Sequence, residues 1–261
     1  ALTPYAVLEP VRLGGVTISR ATLHNFDDLM RKDVRIGDTV IVRRAGDVIP
    51  YVVGPVVERR SGEEQAPQMP TMCPSCGEPV VSSEDEVAVY CINVACPEQR
   101  VRRASHFAAV VDIEGLGERT VQLLVDRGLI QDAADLYALK AEDLLSLEGF
   151  GEKSVANLLT AIEASKDRPL ALLLAALGIP GVGSTVAQLL TQHYRSVDQL
   201  RAASPEELQA IPGLGPRTAG AIVAWFERDR SRQFLDKLRR AGVAMEQEGT
   251  QGAPEGPLVG L

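Results

Sequence analysis

Aromatic residues are scarce in this chain: they make up 4% of 261 residues, with a single tryptophan. Any core must therefore rest on Leu, Val, Ile and Ala. Long apolar runs are also missing. The longest, Leu170 to Leu177, falls far short of the roughly 20 residues that cross a bilayer, so no membrane partner is expected. The opening "ALTPYAVLEP" has neither the basic region nor the apolar block of a secretory leader, which reads as a cytoplasmic chain. An excess of cations is lacking too, because the net charge is −8. Binding to phosphates is driven by cation release, so this total counts against a nucleic-acid partner unless the charge is unevenly spread. It is uneven: residues 12–60 carry nine Arg or Lys against six Asp or Glu, and "RVRR" at 100–103 forms a second basic knot. The acids gather at 63–64, 84–86, 142–148 and 206–207.

What is present is 45% hydrophobic and 24% charged residues, the proportions of a folded globular protein. Three textures divide it. Residues 1–66 alternate apolar and polar positions, as in "VRLGGVTIS" and "DTVIVRRAGDVIPYVVGPVV", which is strand periodicity. Ala45-Gly46-Asp47 reads as a hairpin turn, and "NFDDLMRKD" as a short helix capped by Asn25. Short strands, glycine turns and one small helix predict an OB-type β-barrel. Residues 67–98 hold the cysteines. From 99 to 246 the apolar spacing becomes helical, interrupted by Gly-x-Gly breaks, and 247–261 is a Gly- and Pro-rich linker. The predicted fold class is thus multidomain: a small OB-type barrel, a four-cysteine ribbon and an all-α region.

All four cysteines fit Cys73-x2-Cys76-x14-Cys91-x4-Cys96. A Cys-x-x-Cys knuckle brings two thiolates to one ion, and a second pair some 15 residues on completes a four-sulfur set, with two short strands from "EPVVSSEDEVAVY" between them. A redox Cys-x-x-Cys stands at a helix start without a second pair, and two disulfides suit a secreted chain. The spacing favours one structural Zn2+ held by Cys73, Cys76, Cys91 and Cys96. With four protein ligands no coordination position is left for catalysis.

The helical region repeats one outline four times: "IEGLGERTV", "LEGFGEKSV", "IPGVGSTVA" and "IPGLGPRTA". The first glycines are Gly115, Gly149, Gly181 and Gly213, and the second are Gly117, Gly151, Gly183 and Gly215. Apolar residues recur two before, one after, six after and nine after the first glycine, so each turn opens into a helix with one apolar face. Residues 136–147 match 200–211, so the four turns form a duplicated pair. Paired glycines let the backbone approach another molecule closely, and a helix N-terminus favours an anion. Arg119, Lys153, Thr185 and Arg217 stand four positions past the first glycine, with Thr120, Ser154 and Thr218 one step on. Amides, a cation and a hydroxyl at one loop describe a phosphate site, and the third repeat lacks the cation. Gly-x-Gly also serves as a plain tight αα turn, but four copies with three cations favour phosphate contact. No third glycine or preceding strand supports a nucleotide fingerprint. Trp225-Phe226 reads as core rather than a base-stacking pair, and His24 as a packed or capping residue.

An OB-like barrel, a four-cysteine module and four helix-hairpin-helix units in this order resemble the bacterial NAD-dependent DNA ligases. "LEPVRLGGVTISRATLHN" and "VRIGDTVIVRRAGDVIP" are similar to that family's OB signatures, and "DIEGLG" to its first hairpin. The resemblance implies a DNA-binding portion of an enzyme that seals nicks in duplex DNA in replication and repair, gripping the backbone with little sequence dependence. It implies NAD+ and Mg2+ for the full-length enzyme, not bound by this part. In the segment Arg44 to Ile49 it marks Arg44, Val48 and Ile49 as facing DNA, with Arg43 beside them. The family's Lys-x-Asp-Gly adenylation tetrapeptide is absent here, so a fragment without adenylation and BRCT domains is expected, inactive alone, monomeric, and with a barrel short of its first strand. A Holliday-junction-binding subunit also joins an OB barrel to hairpins but has no four-cysteine insert. An excision-nuclease subunit would need a paired-carboxylate metal site, and a zinc-ribbon transcription factor would not need four hairpins.

Overall fold

A computed structural model of the chain describes residues 1–46, 48–82, 88–93 and 95–247. The expected linker beyond residue 247 lies outside the described residues, as does Asp47 of the predicted turn. Two compact units divide at Cys96 and Pro97.

In the first unit, strands β1 (Tyr5–Leu13), β2 (Val16–Thr22), β3 (Val40–Ala45) and β4 (Ile49–Pro55) form one sheet in the order β1-β2-β4-β3. β1 and β2 pair antiparallel, β3 and β4 likewise, and β2 meets β4 in parallel at Thr22 and Tyr51. The edges β1 and β3 do not pair with each other, so this is an incomplete OB barrel. A cavity of about 530 Å³ lined by Tyr5, Leu23, Phe26, Leu29, Val34 and Val40 opens at the β1 edge. Helix α1 (Phe26–Arg31) starts at Asn25, whose Oδ1 accepts the Asp28 N–H at 2.7 Å, as the sequence predicts. It buries Phe26 and Leu29 against Ala21, Leu23, Val34 and Val52. Strands β5 (Val80–Ser82) and β6 (Val89–Cys91) pair antiparallel. Val80 and Val89 reach the same core as the sheet, and the Leu2 N–H donates to the Val89 carbonyl at 2.7 Å. The cysteine ribbon and the OB sheet therefore share one apolar centre.

The same unit is pinned by Arg60. Its Nε and Nη2 donate to the two Asp38 oxygens at 2.8 and 2.9 Å, and its Nη1 to Asp33 at 2.8 Å. The Asp38 side chain is wholly buried. These bonds hold both carboxyls below the usual carboxylate range, Asp38 through Arg60 first and Asp33 through Arg35 and then Arg60. A carboxyl with a depressed folded-state pKa stabilises the fold above its ordinary range and loses that contribution as pH falls. The first unit should therefore lose stability as pH drops below about 4, and Asp38→Asn should flatten that dependence. Thermal melts between pH 3 and pH 7 read both outcomes.

The second unit is all α: α2 (Pro97–Val110), α3 (Glu118–Asp126), α4 (Ala141–Leu145), α5 (Glu152–Ala164), α6 (Leu170–Ala176), α7 (Ser184–His193), α8 (Val197–Ala202), α9 (Pro205–Gln209), α10 (Pro216–Glu227) and α11 (Asp229–Arg240). The face expected from the repeat is the buried one. Val121, Leu124, Val155, Leu158, Ala187, Leu190, Ala219 and Ile222 are all buried, as are Ile113, Leu147, Ile179 and Ile211 before the turns. Trp225 and Phe226 are buried edge to face, with ring centres 5.1 Å apart. Aliphatic side chains dominate this core, as the shortage of aromatics requires.

Candidate metal centre and nucleic-acid interface

The four cysteine sulfurs lie within 4.8 Å of one another. Cys73 and Cys96 stand 4.0 Å apart, and Cys76 and Cys91 3.6 Å. A tetrahedron with metal–sulfur bonds of about 2.3 Å has edges of about 3.8 Å, so both spacings fit one Zn2+. All four thiols are free of disulfides. Gly77, at φ +71, turns the chain back so that its N–H donates to the Cys73 carbonyl at 2.9 Å. Asn93 shapes the other knuckle, accepting the Cys96 N–H at 3.1 Å through its backbone carbonyl. The N–H groups of Ser75 and Cys76 lower the Cys73 thiol's pKa, whereas burial pushes the Cys91 thiol up to about 11. A bound dication lets all four ionise together, because a coordinating thiol is deprotonated outright.

The hairpins are type II turns followed by a helix. In each, the residue after the first glycine donates its N–H to the residue three before it: Leu116 to Ile113, Phe150 to Leu147, Val182 to Ile179 and Leu214 to Ile211, at 3.0–3.4 Å. The first glycine sits at the third turn position with φ between +81 and +94, which only glycine adopts cheaply. Proline favours the position before it, and Pro180 and Pro212 stand there. That signal was legible in the sequence and is the reason those prolines belong to the turn.

The second glycine has a different explanation. Gly117, Gly151, Gly183 and Gly215 are helix N-caps with extended backbone, at φ −74, −108, −94 and −78. Any residue adopts that conformation, and Ser or Asp would cap better. A Cβ added at any of the four would meet nothing within 4 Å. Neither backbone strain nor internal packing demands glycine there.

Around these tips the predicted residues divide. Arg119, Lys153 and Thr185 are exposed, and Arg119 and Lys153 enter no ion pair among the described residues. Arg217 is also exposed. The Ser154 hydroxyl accepts the Gly151 N–H at 3.0 Å and donates to its carbonyl, so it caps the helix. Thr218, half-buried, lies where a Cβ on Gly181 would come within 3.1 Å of its Oγ1. Gly181 thus lets the third hairpin seat on the fourth. Thr120 is half-buried and makes no side-chain hydrogen bond among the described residues. The first two tips each carry two acids, Glu114 with Glu118 and Glu148 with Glu152, whereas the last two carry none.

In the OB sheet, Val48 and Ile49 are 73% and 58% exposed, far more than paired strand residues with a core role. Arg43 is exposed, but Arg44 is half-buried. Its Nη1 donates to the Gly14 carbonyl at 3.3 Å, and a Cβ on Gly14 would stand 2.7 Å from that nitrogen. Arg44 ties the β1–β2 turn to β3, a contact between residues 30 apart that sequence pattern cannot show. No helix among the described residues is long and apolar enough to cross a membrane.

An incomplete OB barrel fused to a four-sulfur ribbon, followed by paired helix-hairpin-helix tandems, defines a modular zinc-ribbon protein of the helix-hairpin-helix class. Four family models match consecutive stretches. The NAD-dependent DNA ligase OB-fold domain matches residues 1–64, and the NAD-dependent DNA ligase C4 zinc finger domain residues 72–97. A SAM-like helix-hairpin-helix tandem matches residues 107–164, and a helix-hairpin-helix motif residues 172–235. The chain is 51% identical over 258 residues to a DNA ligase of Roseiflexus sp. (strain RS-1), covering 98% of this chain and 36% of that protein. It is 54% identical over 247 residues to a DNA ligase of Chloroflexus aggregans, covering 94% and 36%. With a DNA ligase of Pelotomaculum thermopropionicum it shares 51% over 261 residues, covering 99% and 38%. Over nearly its whole length the chain is similar to these DNA ligases, two of its stretches match NAD-dependent DNA ligase domain models, and it spans little more than a third of the length of these relatives.

Proposed function

We propose that this chain is the DNA-gripping portion of an NAD-dependent DNA ligase that seals nicks in duplex DNA. The observation that carries it is the set of second glycines, which nothing inside the fold requires. With no side chain there, a phosphate oxygen can reach the unpaired N–H groups of the first helical turn at the positive end of the helix dipole. Arg119, Lys153 and Arg217 add cations, and Thr185 a hydroxyl, at the same tips. Ser154 acts on the site by fixing the helix start, Thr218 by seating hairpin three on hairpin four, and Thr120 beside Arg119. Contacts to phosphates set position rather than sequence preference, which suits an enzyme that acts on any nick. Pro216 removes one donor from the fourth hairpin, and the acids temper the first two, so the four tips contribute unequally.

Arg43, Val48 and Ile49 extend this surface on the OB sheet, and Arg44 shapes its loop. NAD+ and Mg2+ serve chemistry carried outside these residues, and the working species is a cytoplasmic monomer on nicked duplex. A junction-binding subunit is the second reading; the four-cysteine ribbon between barrel and hairpins counts against it.

Fluorescence anisotropy with nicked, intact and single-stranded DNA across a salt series tests the proposal. Each phosphate neutralised contributes about 0.9 to the slope of log affinity against log salt. Changing Arg119, Lys153 and Arg217 together to Ala should lower the slope by about 2 to 3. Absence of duplex binding at low salt, with zinc bound and the chain folded, would leave the hairpins a purely internal role.

A further inference from the structure

The basic knot at residues 100–103 takes no part in the hairpins, and the fold brings a second set of arginines to it. Phe107 on α2 packs edge to face on Phe234 of α11, with ring centres 6.1 Å apart, and on Tyr137 at 6.3 Å. Arg103 and Arg230 each stand four residues before those phenylalanines, one turn up the same faces of the two helices. Arg100 lies a further turn along α2, and Arg228 sits at the junction of α10 and α11. None of the four enters an ion pair among the described residues, in a chain with a net charge of −8. Of the carboxylates nearby, Asp132 is held by Lys237 at 2.8 Å and Asp229 by Arg232 at 3.4 Å, while Glu98 and Glu227 pair with none of the four arginines among the described residues. Among the described residues, Arg103 donates only to Gln99, at 2.9 Å. Arg230 keeps Nη1 buried with no hydrogen-bond partner among the described residues. Desolvation, then the like charges of Arg230 and Arg228, lower the pKa of Arg103. Desolvation and Arg100 lower that of Arg230 against an opposing pull from Asp132. Gathering like charges destabilises a fold, and a guanidinium is the side chain best shaped to take a phosphate in a fork.

We infer that Arg100, Arg103, Arg228 and Arg230 form a second phosphate-binding cluster of the helical unit, separate from the hairpin tips, that takes backbone phosphates of duplex DNA. The separation follows from helix lengths. Arg228 stands at the far end of α10 from Gly215, about 18 Å away, and Arg103 about 10 Å up α2 from the start of the first turn. The inference rests on the duplex-binding reading proposed above and adds a contact that the hairpins do not supply.

The test compares this chain with R103Q/R230Q and with the hairpin triple variant, by anisotropy on one duplex across a salt series. The expected result is a slope lower by about 2 and affinity about tenfold weaker at 0.1 M salt, with a melting temperature at or above that of the parent. R103K/R230K, which keeps the charge, should recover most of the affinity, and inorganic phosphate should compete at this cluster less strongly than duplex. If the double variant does not fold, R103Q, at an exposed side chain, serves alone with a slope lower by about 1. An unchanged slope in the glutamine variants, alongside a reduced one in the hairpin triple, would overturn the cluster while leaving the hairpins as grips. No change in either variant would sink the duplex-binding reading and this inference together.

Discussion

Cys96→Ser is expected to abolish stoichiometric zinc binding and to unfold much more than the ribbon. Cys96 and Cys73 are buried, and β5 and β6 are three residues each. A hairpin of that size has no independent stability in water, so the ion supplies its folding free energy, on the order of 10 kcal/mol in small zinc modules. The loss spreads because Val80 and Val89 complete the core made by Leu23, Phe26, Leu29 and Val52. With the ribbon unfolded, the OB sheet loses those contacts and the Leu2–Val89 bridge. Calorimetry should show the transition of the first unit falling sharply or vanishing, whereas that of the helical unit stays. Strong chelation of the parent chain should reproduce the pattern, and metal analysis should give one zinc per chain before and none after. Two unmoved transitions in zinc-free protein would refute the shared core as a source of stability.

Serine at all four second glycines should leave the helical unit as stable as before and remove its duplex binding. At an N-cap, Gly→Ser changes stability by only a few tenths of a kcal/mol and in the favourable direction, and the extended backbone accepts it without strain. Each new side chain would stand in the path of a phosphate approaching the helix N-terminus. A loss of about 1 kcal/mol per hairpin sums over four to about a thousandfold weaker binding. The control lies two residues earlier. Gly115→Ala, at φ +81, should cost about 1 kcal/mol of stability. Melting temperature and anisotropy together separate the two glycines of one motif: a stability loss at the second would mean the fold, not a ligand, selects it.

The sequence alone determined whatever depends on local spacing. Cysteines at x2, x14 and x4 define a four-sulfur site because ligand reach is short. Apolar residues at fixed offsets from each glycine define a buried helix face because helical period is fixed. Glycine in the third turn position follows from backbone sterics. Aliphatic identity along 99–246 was enough to place the core.

Only the tertiary structure decided which groups remain available. Ser154 and Thr218 look alike in the repeat, yet one caps its own helix and the other supports a neighbouring hairpin, because hydroxyl partners are chosen by three-dimensional proximity. Arg43 and Arg44 are adjacent in sequence, but strand alternation sends one to solvent and the other to Gly14. The chain divides after Cys96, rather than between sheet and ribbon, because Val80 and Val89 of the ribbon pack into the OB core. The arginines of 100–103 and 228–230 are remote in sequence, and the Phe107–Phe234 contact is what aligns them.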